Sequence, residues 1–209
     1  MLNCVEDNEA RIVGRVASYL TFSHDVHTEC FYRFSIRAER LSDNADVITV
    51  TVSERMLTDL QIEIGQKIEV SGQFRSYNNY TDNGNKLVLT LFAKEIKNAL
   101  EEAMVENEIY LNGFICKPVV YRVTPFGREI ADILVAVNRA YNKSDYIPCI
   151  AWGRNARFVK NLEVGQNIKI WGRMQSREYQ KKISEEEAVT KTAYEVSICK
   201  LDVVRQQTE

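Results

Sequence analysis

The chain has 209 residues, of which 45% are hydrophobic and 27% are charged, with a formal net charge of −2. This composition fits one or two globular domains and excludes disordered and fibrous proteins. No segment approaches the run of ~18 apolar residues that a membrane helix needs. The first ten residues lack a basic or apolar signal sequence, so the sequence predicts a soluble, cytosolic protein with no membrane partner. The five cysteines form no C-x-x-C pair and are expected to be reduced thiols.

The sequence repeats itself after about one hundred residues. Asn8–Gly14 aligns with Asn107–Gly113 at an offset of 99, and Ile64–Gly72 aligns with Val164–Gly172 at an offset of 100. Because a repeat determines how the chain divides into domains, two copies of one unit are predicted. The predicted parts are a first domain at 1–98, a junction at 99–106 whose Ala- and Glu-rich composition allows a short helix, a second domain at 107–204 and a tail at 205–209.

Each copy is predicted to consist of short strands and one short helix. Runs rich in Val, Ile, Tyr and Phe alternate with turns. The helix follows the third strand, where Ser53 is an N-cap candidate in the first copy and Asn155–Leu162 has helical spacing in the second. A two-stranded ribbon comes next, with loops predicted at Asn78–Asn85 and Gln180–Thr192. This order is that of a five-stranded Greek-key barrel, so the predicted fold class is all-β with two tandem OB-folds.

Both histidines of the chain lie in His24–Cys30, the one cluster of candidate metal ligands. The segment falls at the predicted turn between the first two strands, and no second ligand pair accompanies it elsewhere. Zinc sites need about four ligands at fixed spacing. A solvated loop is therefore predicted, with no metal site and no cofactor.

The second copy is the basic part of the chain. Residues 107–184 hold 13 Lys and Arg against 6 Asp and Glu, whereas residues 1–99 hold 11 against 14. In the third strand of this copy, period-two alternation places Tyr146 and Trp152 together on the outward face. In the fourth strand the outward positions are Lys169, Trp171, Arg173, Arg177 and Tyr179.

A face that alternates cations with large aromatic rings is typical of single-stranded nucleic-acid binding, because bases stack on the rings and phosphates meet the cations. For Trp171, a contact between domains or subunits is an equally good interpretation, since exposed aromatics give up hydrophobic burial. No convergent carboxylates or nucleophile–base pair accompany the face. No catalytic residue is therefore predicted, and a metal-dependent nuclease is not favoured.

Five motifs follow one another in the second copy at consistent spacing: Asn107–Gly113, Arg122–Gly127, Ala136–Arg139, Asp145–Arg154 and Gly172–Tyr179. They resemble those of the bacterial single-stranded DNA-binding protein family, and the resemblance covers nearly all of residues 107–204. It implies base stacking at Tyr141, Tyr146, Trp152 and Tyr179. The cations expected to meet phosphates are Arg122, Arg139, Arg154, Arg173, Arg177, Lys181 and Lys182.

The chain departs from that family at two places. Members that protect the genome generally end in an acidic tail that recruits repair enzymes, whereas Leu201–Glu209 has no such character, so no recruitment of that kind is expected. In the first copy, the counterparts of Tyr141, Tyr146 and Trp152 are Ser42, Val47 and Ser53, and only the ribbon keeps tyrosines, at Tyr77 and Tyr80. The first OB-fold is therefore expected to be structural or protein-binding, and the affinity is expected to reside in residues 107–204.

The sequence predicts non-catalytic, largely sequence-independent binding of single-stranded DNA in replication, recombination or repair, by a cytoplasmic, nucleoid-associated protein. Binding of RNA stays open because stacking is indifferent to the sugar. By analogy with the family, a homodimer that presents four OB-folds is expected. The alternative is an OB-fold adaptor or primosome-like accessory protein with little DNA binding of its own.

Overall fold

A computed structural model describes residues 7–40, 44–58, 60–81, 84–182 and 188–204 of the protein. In the two ribbons, the side chains of residues 79–81, 84–86, 178–182, 188, 189 and 191 also lie outside the description. The fold is all-β, with two tandem OB-folds. The strands of the first are β1 (Asn8–Val16), β2 (Thr21–Val26), β3 (Glu29–Glu39), β4 (Ala45–Ser53), β5 (Lys67–Thr81) and β6 (Gly84–Asn98). Those of the second are β7 (Glu106–Ile115), β8 (Val120–Val123), β9 (Glu129–Arg139), β10 (Lys143–Trp152), β11 (Asn167–Lys182) and β12 (Ala188–Val203).

Each copy contains one short strand more than the five predicted for the barrel. Strand β2 pairs with β3, and β8 pairs with β9, as hairpins at the edges of the sheet. The prediction of a loop over His24–Cys30 is therefore wrong, although residues 24–28 are exposed to solvent as predicted. His24 lies in β2 and Cys30 in β3, and the chain turns at His27 and Thr28, which have positive φ values of 46° and 72°.

The predicted helix differs between the copies. In the second copy, α1 spans Gly153–Val159 and buries Ala156 and Val159, so it lies two to three residues earlier than expected at each end. In the first copy, a single 3-10 turn spans Glu54–Leu57, and Ser53 is its N-cap, because the Ser53 hydroxyl accepts the Arg55 N–H. No helix in the described ranges is long and apolar enough to cross a membrane.

The connections are shorter or less regular than predicted. Strand β5 runs to Thr81 and β11 runs to Lys182, so both ribbons extend into the segments expected to be loops; residues 82, 83 and 183–187 lie outside the description. Between Asn98 and Glu106 the chain forms a turn rather than the helix that its composition allowed. The division into domains at 98 and 107 stays a prediction.

Alternating side chains fill the two barrels. In β10, Ile147, Cys149 and Ala151 are buried while Tyr146 and Trp152 face outward, which confirms the predicted parity of this strand. In the matching strand of the first copy, Ile48, Val50 and Val52 are buried. The thiols of Cys30, Cys116, Cys149 and Cys199 are free.

The two copies are joined through β1 and β7. These strands pair antiparallel, with Ala10 opposite Ile109, and merge both barrels into one twelve-stranded sheet. Ala10 and Ile109 are themselves equivalent in the repeat, at its offset of 99. Each strand thus pairs with its own counterpart, and the copies are related by a pseudo-two-fold axis.

A second pair of contacts repeats on the two sides of this axis, and we call them the Asp–Ser clasps. The backbone N–H of Ser176 donates to Asp46 Oδ1 at 3.1 Å, and the Val47 N–H donates to Ser176 Oγ at 2.9 Å. On the other side, the Ser76 N–H donates to Asp145 Oδ1 at 2.8 Å, and the Tyr146 N–H donates to Ser76 Oγ at 2.7 Å. Each copy thus satisfies polar groups of the other.

The clasp aspartates are buried and have arginine partners. Asp46 is 1% exposed and accepts hydrogen bonds from Arg40 of its own copy and Arg173 of the other. Asp145 is 2% exposed, and Arg139 approaches its Oδ1 to 3.4 Å. A buried carboxylate is tolerated only where such donors replace its water. The clasps therefore require both copies to be in place.

We expect Asp46→Ala to lower the free energy of unfolding by about 2–3 kcal/mol, because it leaves Arg40 and Arg173 without their buried acceptor. Urea denaturation followed by circular dichroism measures this. Glu39→Ala is the control, since Glu39 makes an exposed ion pair with Arg37 that is worth at most ~1 kcal/mol. Equal losses in the two variants would contradict the role of the clasp.

Candidate nucleic-acid interface

The outward face of β10 carries two of the predicted stacking residues. Tyr146 is 47% exposed and Trp152 is 38% exposed. Trp152 Nε1 donates to Ser197 Oγ at 3.2 Å, across the parallel pair of β10 with β12. This hydrogen bond fixes the orientation of the indole while part of the ring stays open to solvent. Tyr146 is held by its backbone, through the Asp–Ser clasp. Both rings are thus presented by rigid strands.

Tyr141 lies in the turn that joins β9 to β10. Its φ is +62° and that of Asn142 is +53°, in the left-handed region that residues other than glycine seldom adopt. The ring is 94% exposed. Unfavourable backbone conformations persist where the surrounding structure imposes them, often at functional sites. The turn holds a large aromatic ring in solvent beyond the end of the sheet.

Most of the predicted phosphate-binding arginines have an acidic partner in the protein. Arg122 Nη2 lies 2.9 Å from Asp132 Oδ2, and Arg177 Nε lies 3.8 Å from Glu195 Oε1. The side chains of Arg122 and Arg177 are 50% and 56% exposed, so a phosphate can approach both of them. Arg154 is exposed and makes no ion pair within the described ranges.

Two of the predicted arginines lie at the clasps. Arg139 is near Asp145, and Arg173 Nη1 donates to Asp46 Oδ2 at 3.0 Å. For Arg173 this ion pair competes with a phosphate, and the side chain is only 31% exposed. Its predicted phosphate contact therefore has less support than that of Arg154. The side chains of Tyr179, Lys181 and Lys182 lie outside the description, although their backbone belongs to β11.

Trp171 belongs to a different surface. Its ring lies 5.2 Å from that of Tyr110 on the neighbouring strand β7, and Lys200 Nζ lies 4.4 Å from the Trp171 ring centroid. These residues line the sheet where the two copies meet, and a groove of about 850 Å³ next to them is also lined by Glu9 and Arg11 of β1. Trp171 is thus separated from the β10 face with its two rings.

A second aromatic cluster, which the sequence pattern did not predict, lies in the first copy. His24, Phe31 and Phe92 form ring contacts across β2, β3 and β6. Alignment of the two copies does not reveal this cluster, because it matches each residue only with its counterpart on the same strand. Phe92 lies on β6, which neighbours β4. In the second copy, the exposed rings lie on β10, the counterpart of β4. Ser42, the counterpart of Tyr141, lies outside the described residues.

The second copy matches a known protein family. The profile of the single-strand binding protein family matches residues 106–203. Single-stranded DNA-binding protein 1 of Streptococcus pyogenes is 32% identical over 96 residues, which cover 43% of this chain and 74% of that protein. The chain belongs to the single-strand binding protein family. Single-stranded DNA-binding protein A of Bacillus subtilis is also 32% identical over 96 residues, 43% of this chain and 56% of that protein.

The chain spans about half the length of several of these curated relatives, such as 48% of single-stranded DNA-binding protein 1 of Staphylococcus aureus. A solved structure matches both copies. The wild-type single-stranded DNA binding protein of Thermus aquaticus superposes with a TM-score of 0.75 and 17% identity, over 97% of this chain and 95% of that chain. This likeness shows that the tandem fold of the whole chain occurs in another protein named for single-stranded DNA binding.

Glu195 is an acidic group buried next to the interface. Burial raises the pKa of its carboxyl, an effect that Arg177 and the hydrogen bond from Gln175 only partly oppose. The folded protein therefore binds this proton more tightly than the unfolded chain does. The stabilising contribution of the protonated form is complete below the ordinary pKa of 4.5 and is lost as the pH rises through the raised value.

We expect Glu195→Gln to remove this loss, so that stability falls less between pH 4.5 and neutrality than in the wild type. The urea midpoint, measured at a series of pH values, checks this. Glu163→Gln, which changes an exposed carboxylate, is the control and is expected to keep the wild-type pH profile. A Glu195→Gln profile parallel to that of the control would show that burial of Glu195 carries no pH dependence.

Proposed function

We propose that the protein binds single-stranded DNA without catalysis and largely without sequence preference, in replication, recombination or repair. The observation that carries the proposal is the β10 face, where Tyr146 and Trp152 present open ring surface on an OB-fold of the single-strand binding protein family. The relatives are named as single-stranded DNA-binding proteins, which supports a binding role. As part of the proposal, the protein acts in the cytoplasm and associates with the nucleoid.

Base stacking and phosphate contacts both contribute to the proposed binding. Each base stacked on an aromatic ring contributes ~1–3 kcal/mol, and it does so for every base because each has a π-face. Arg154 and the half-exposed Arg122 and Arg177 are the described cations best placed to meet phosphates. A phosphate that replaces Asp132 or Glu195 as the partner of its arginine keeps the guanidinium paired. Tyr141, Tyr179, Arg139, Arg173, Lys181 and Lys182 complete the proposed site.

Assembly into a homodimer that presents four OB-folds is part of the proposal. The support comes from the sheet surface around Tyr110 and Trp171, which spans β1, β7 and β11 and so crosses the pseudo-two-fold axis. Both rings are half-buried by each other and by neighbouring side chains, and burial raises the pKa of the Tyr110 hydroxyl. An aromatic pair at the centre of an otherwise open sheet is typical of subunit interfaces.

Trp152→Ala is expected to weaken the binding of fluorescein-labelled oligo-dT by at least ~1 kcal/mol, because it removes one stacking platform. Fluorescence anisotropy at several salt concentrations measures the affinity, and its logarithm is expected to fall with that of the salt concentration by about 0.7 per phosphate neutralised. Tyr19→Ala, which removes an exposed aromatic ring from the first copy, is the control. Equal wild-type affinities for duplex and single-stranded DNA would overturn the proposed function.

For the homodimer, light scattering at high micromolar concentration is expected to give twice the mass of the 24.1 kDa chain. Trp171→Ala is expected to shift the equilibrium towards the monomer, because it removes the larger ring of the proposed interface. Phe158→Ala, at an exposed ring of α1, is the control. A wild-type protein that stays monomeric at this concentration would rule the homodimer out.

A further inference from the structure

At one pair of equivalent positions, the two copies carry the large aromatic ring and the serine on opposite strands. In the second copy, Trp152 of β10 donates a hydrogen bond to Ser197 of β12. In the first copy, Ser53 occupies the position of Trp152. Phe92 occupies that of Ser197, since it pairs with residue 73 of β5 as Ser197 pairs with residue 173 of β11. The first copy therefore retains an aromatic ring at this place in the barrel, but carries it on the neighbouring strand β6.

The displaced ring is part of an aromatic row. Phe92 lies 5.7 Å from Phe31, and His24 stacks on Phe31 with 5.0 Å between centroids and 11° between planes. The Arg75 guanidinium carbon lies 3.9 Å from the Phe92 ring centroid. Phe31 is buried beneath its neighbours, whereas His24 is exposed and Phe92 is half-buried. The row thus offers a flat, partly open π-surface with a cation next to it.

A groove of about 780 Å³ runs along this row and is built by both copies. Arg33 and Arg75 of the first copy line it together with Arg139 and Lys143 of the second, and none of its described lining residues is a carboxylate. The Arg33 guanidinium also donates to the Tyr77 hydroxyl at 3.1 Å. The first half of the chain carries a net negative charge, yet the Arg and Lys side chains that line this groove are all cationic. A polyanion is therefore its complementary ligand.

We infer that this groove is a second binding site for single-stranded nucleic acid, displaced by one strand from the β10 face, so the first OB-fold binds the same ligand as the second. The inference rests on the proposed function. Bases stack on His24 and Phe92, while phosphates meet Arg33, Arg75 and Lys143.

Tyr141 links the two sites. It projects from the second copy and lines the groove of the first. Strand β10, which begins two residues later, carries Tyr146 of the other site. One strand of DNA that leaves the groove at Tyr141 can continue onto the β10 face without crossing the core of either barrel. The tip of this hairpin therefore belongs to both sites.

The first test uses Phe92→Ser in the full chain, which gives the first copy a serine on both strands of the exchanged pair. Anisotropy is measured with oligo-dT of ~10 and ~30 nucleotides, because one OB-fold covers ~4–16. The affinity for the longer oligonucleotide is expected to fall at least ~5-fold, as loss of one stacked base implies. Tryptophan quenching by the shorter one reports the β10 face through Trp152, since the first copy has no tryptophan and Trp171 lies on a different surface, and it is expected to persist.

The second test keeps the aromatic row intact. Arg33→Gln is expected to weaken binding of the longer oligonucleotide and to reduce its salt dependence by about one phosphate contact. Arg37→Gln is the matched control, because Arg37 lies on the same strand, pairs with Glu39 and does not line the groove. Circular dichroism verifies the fold of each variant.

The outcomes separate this inference from the proposed function. A wild-type protein that binds neither oligonucleotide would overturn the proposed function and the inference with it. A wild-type protein that binds with tryptophan quenching, while Arg33→Gln and folded Phe92→Ser both behave like Arg37→Gln, would overturn the inference alone. The first OB-fold would then be structural or protein-binding, as expected from Ser42, Val47 and Ser53 at the positions of the stacking residues.

Discussion

The antiparallel pairing of β1 with β7 determines how the rest of the protein is arranged. It places equivalent residues of the two copies opposite each other, so a contact between the copies can occur twice, as the Asp–Ser clasps do. Asp46 and Asp145 can be buried only because the other copy supplies a backbone N–H to each of them. The clasp at Asp145 also fixes the backbone of Tyr146, so a residue of the proposed interface depends on Ser76 of the first copy.

At the proposed interface, intramolecular ion pairs add to the cost of phosphate binding. Arg122, Arg173 and Arg177 each have an acidic partner in the described part of the chain, so a phosphate has to replace a carboxylate and does not simply fill a vacant position. An exposed ion pair such as Arg122–Asp132 is worth little and is exchanged easily, whereas the buried Asp46 holds its arginines firmly. The exposed Arg122 of β8 and the arginines at the clasps therefore serve different purposes, although they look alike in the sequence.

The sequence could predict the repeat, the barrel order and the parity of β10, because these follow from local alternation of apolar residues. It could also align Asp46 with Asp145, but their role needs the partner serine, about 70 to 130 residues away in the chain. Strands β2 and β8 were missed because their side chains are mostly exposed and carry no buried face that a pattern would show. Phe92 was missed because its equivalence to Ser197 rests on strand register, which a linear alignment of the repeat does not contain.

The turn between Asn98 and Glu106 has a thermodynamic consequence for the pair of barrels. It ties together two surfaces that would otherwise meet only by diffusion, so the pairing of β1 with β7 is an intramolecular event governed by an effective concentration. Dilution leaves such a pair intact. Two barrels with different sequences can therefore be kept side by side in every molecule, and each copy is free to evolve its own surface without losing its neighbour.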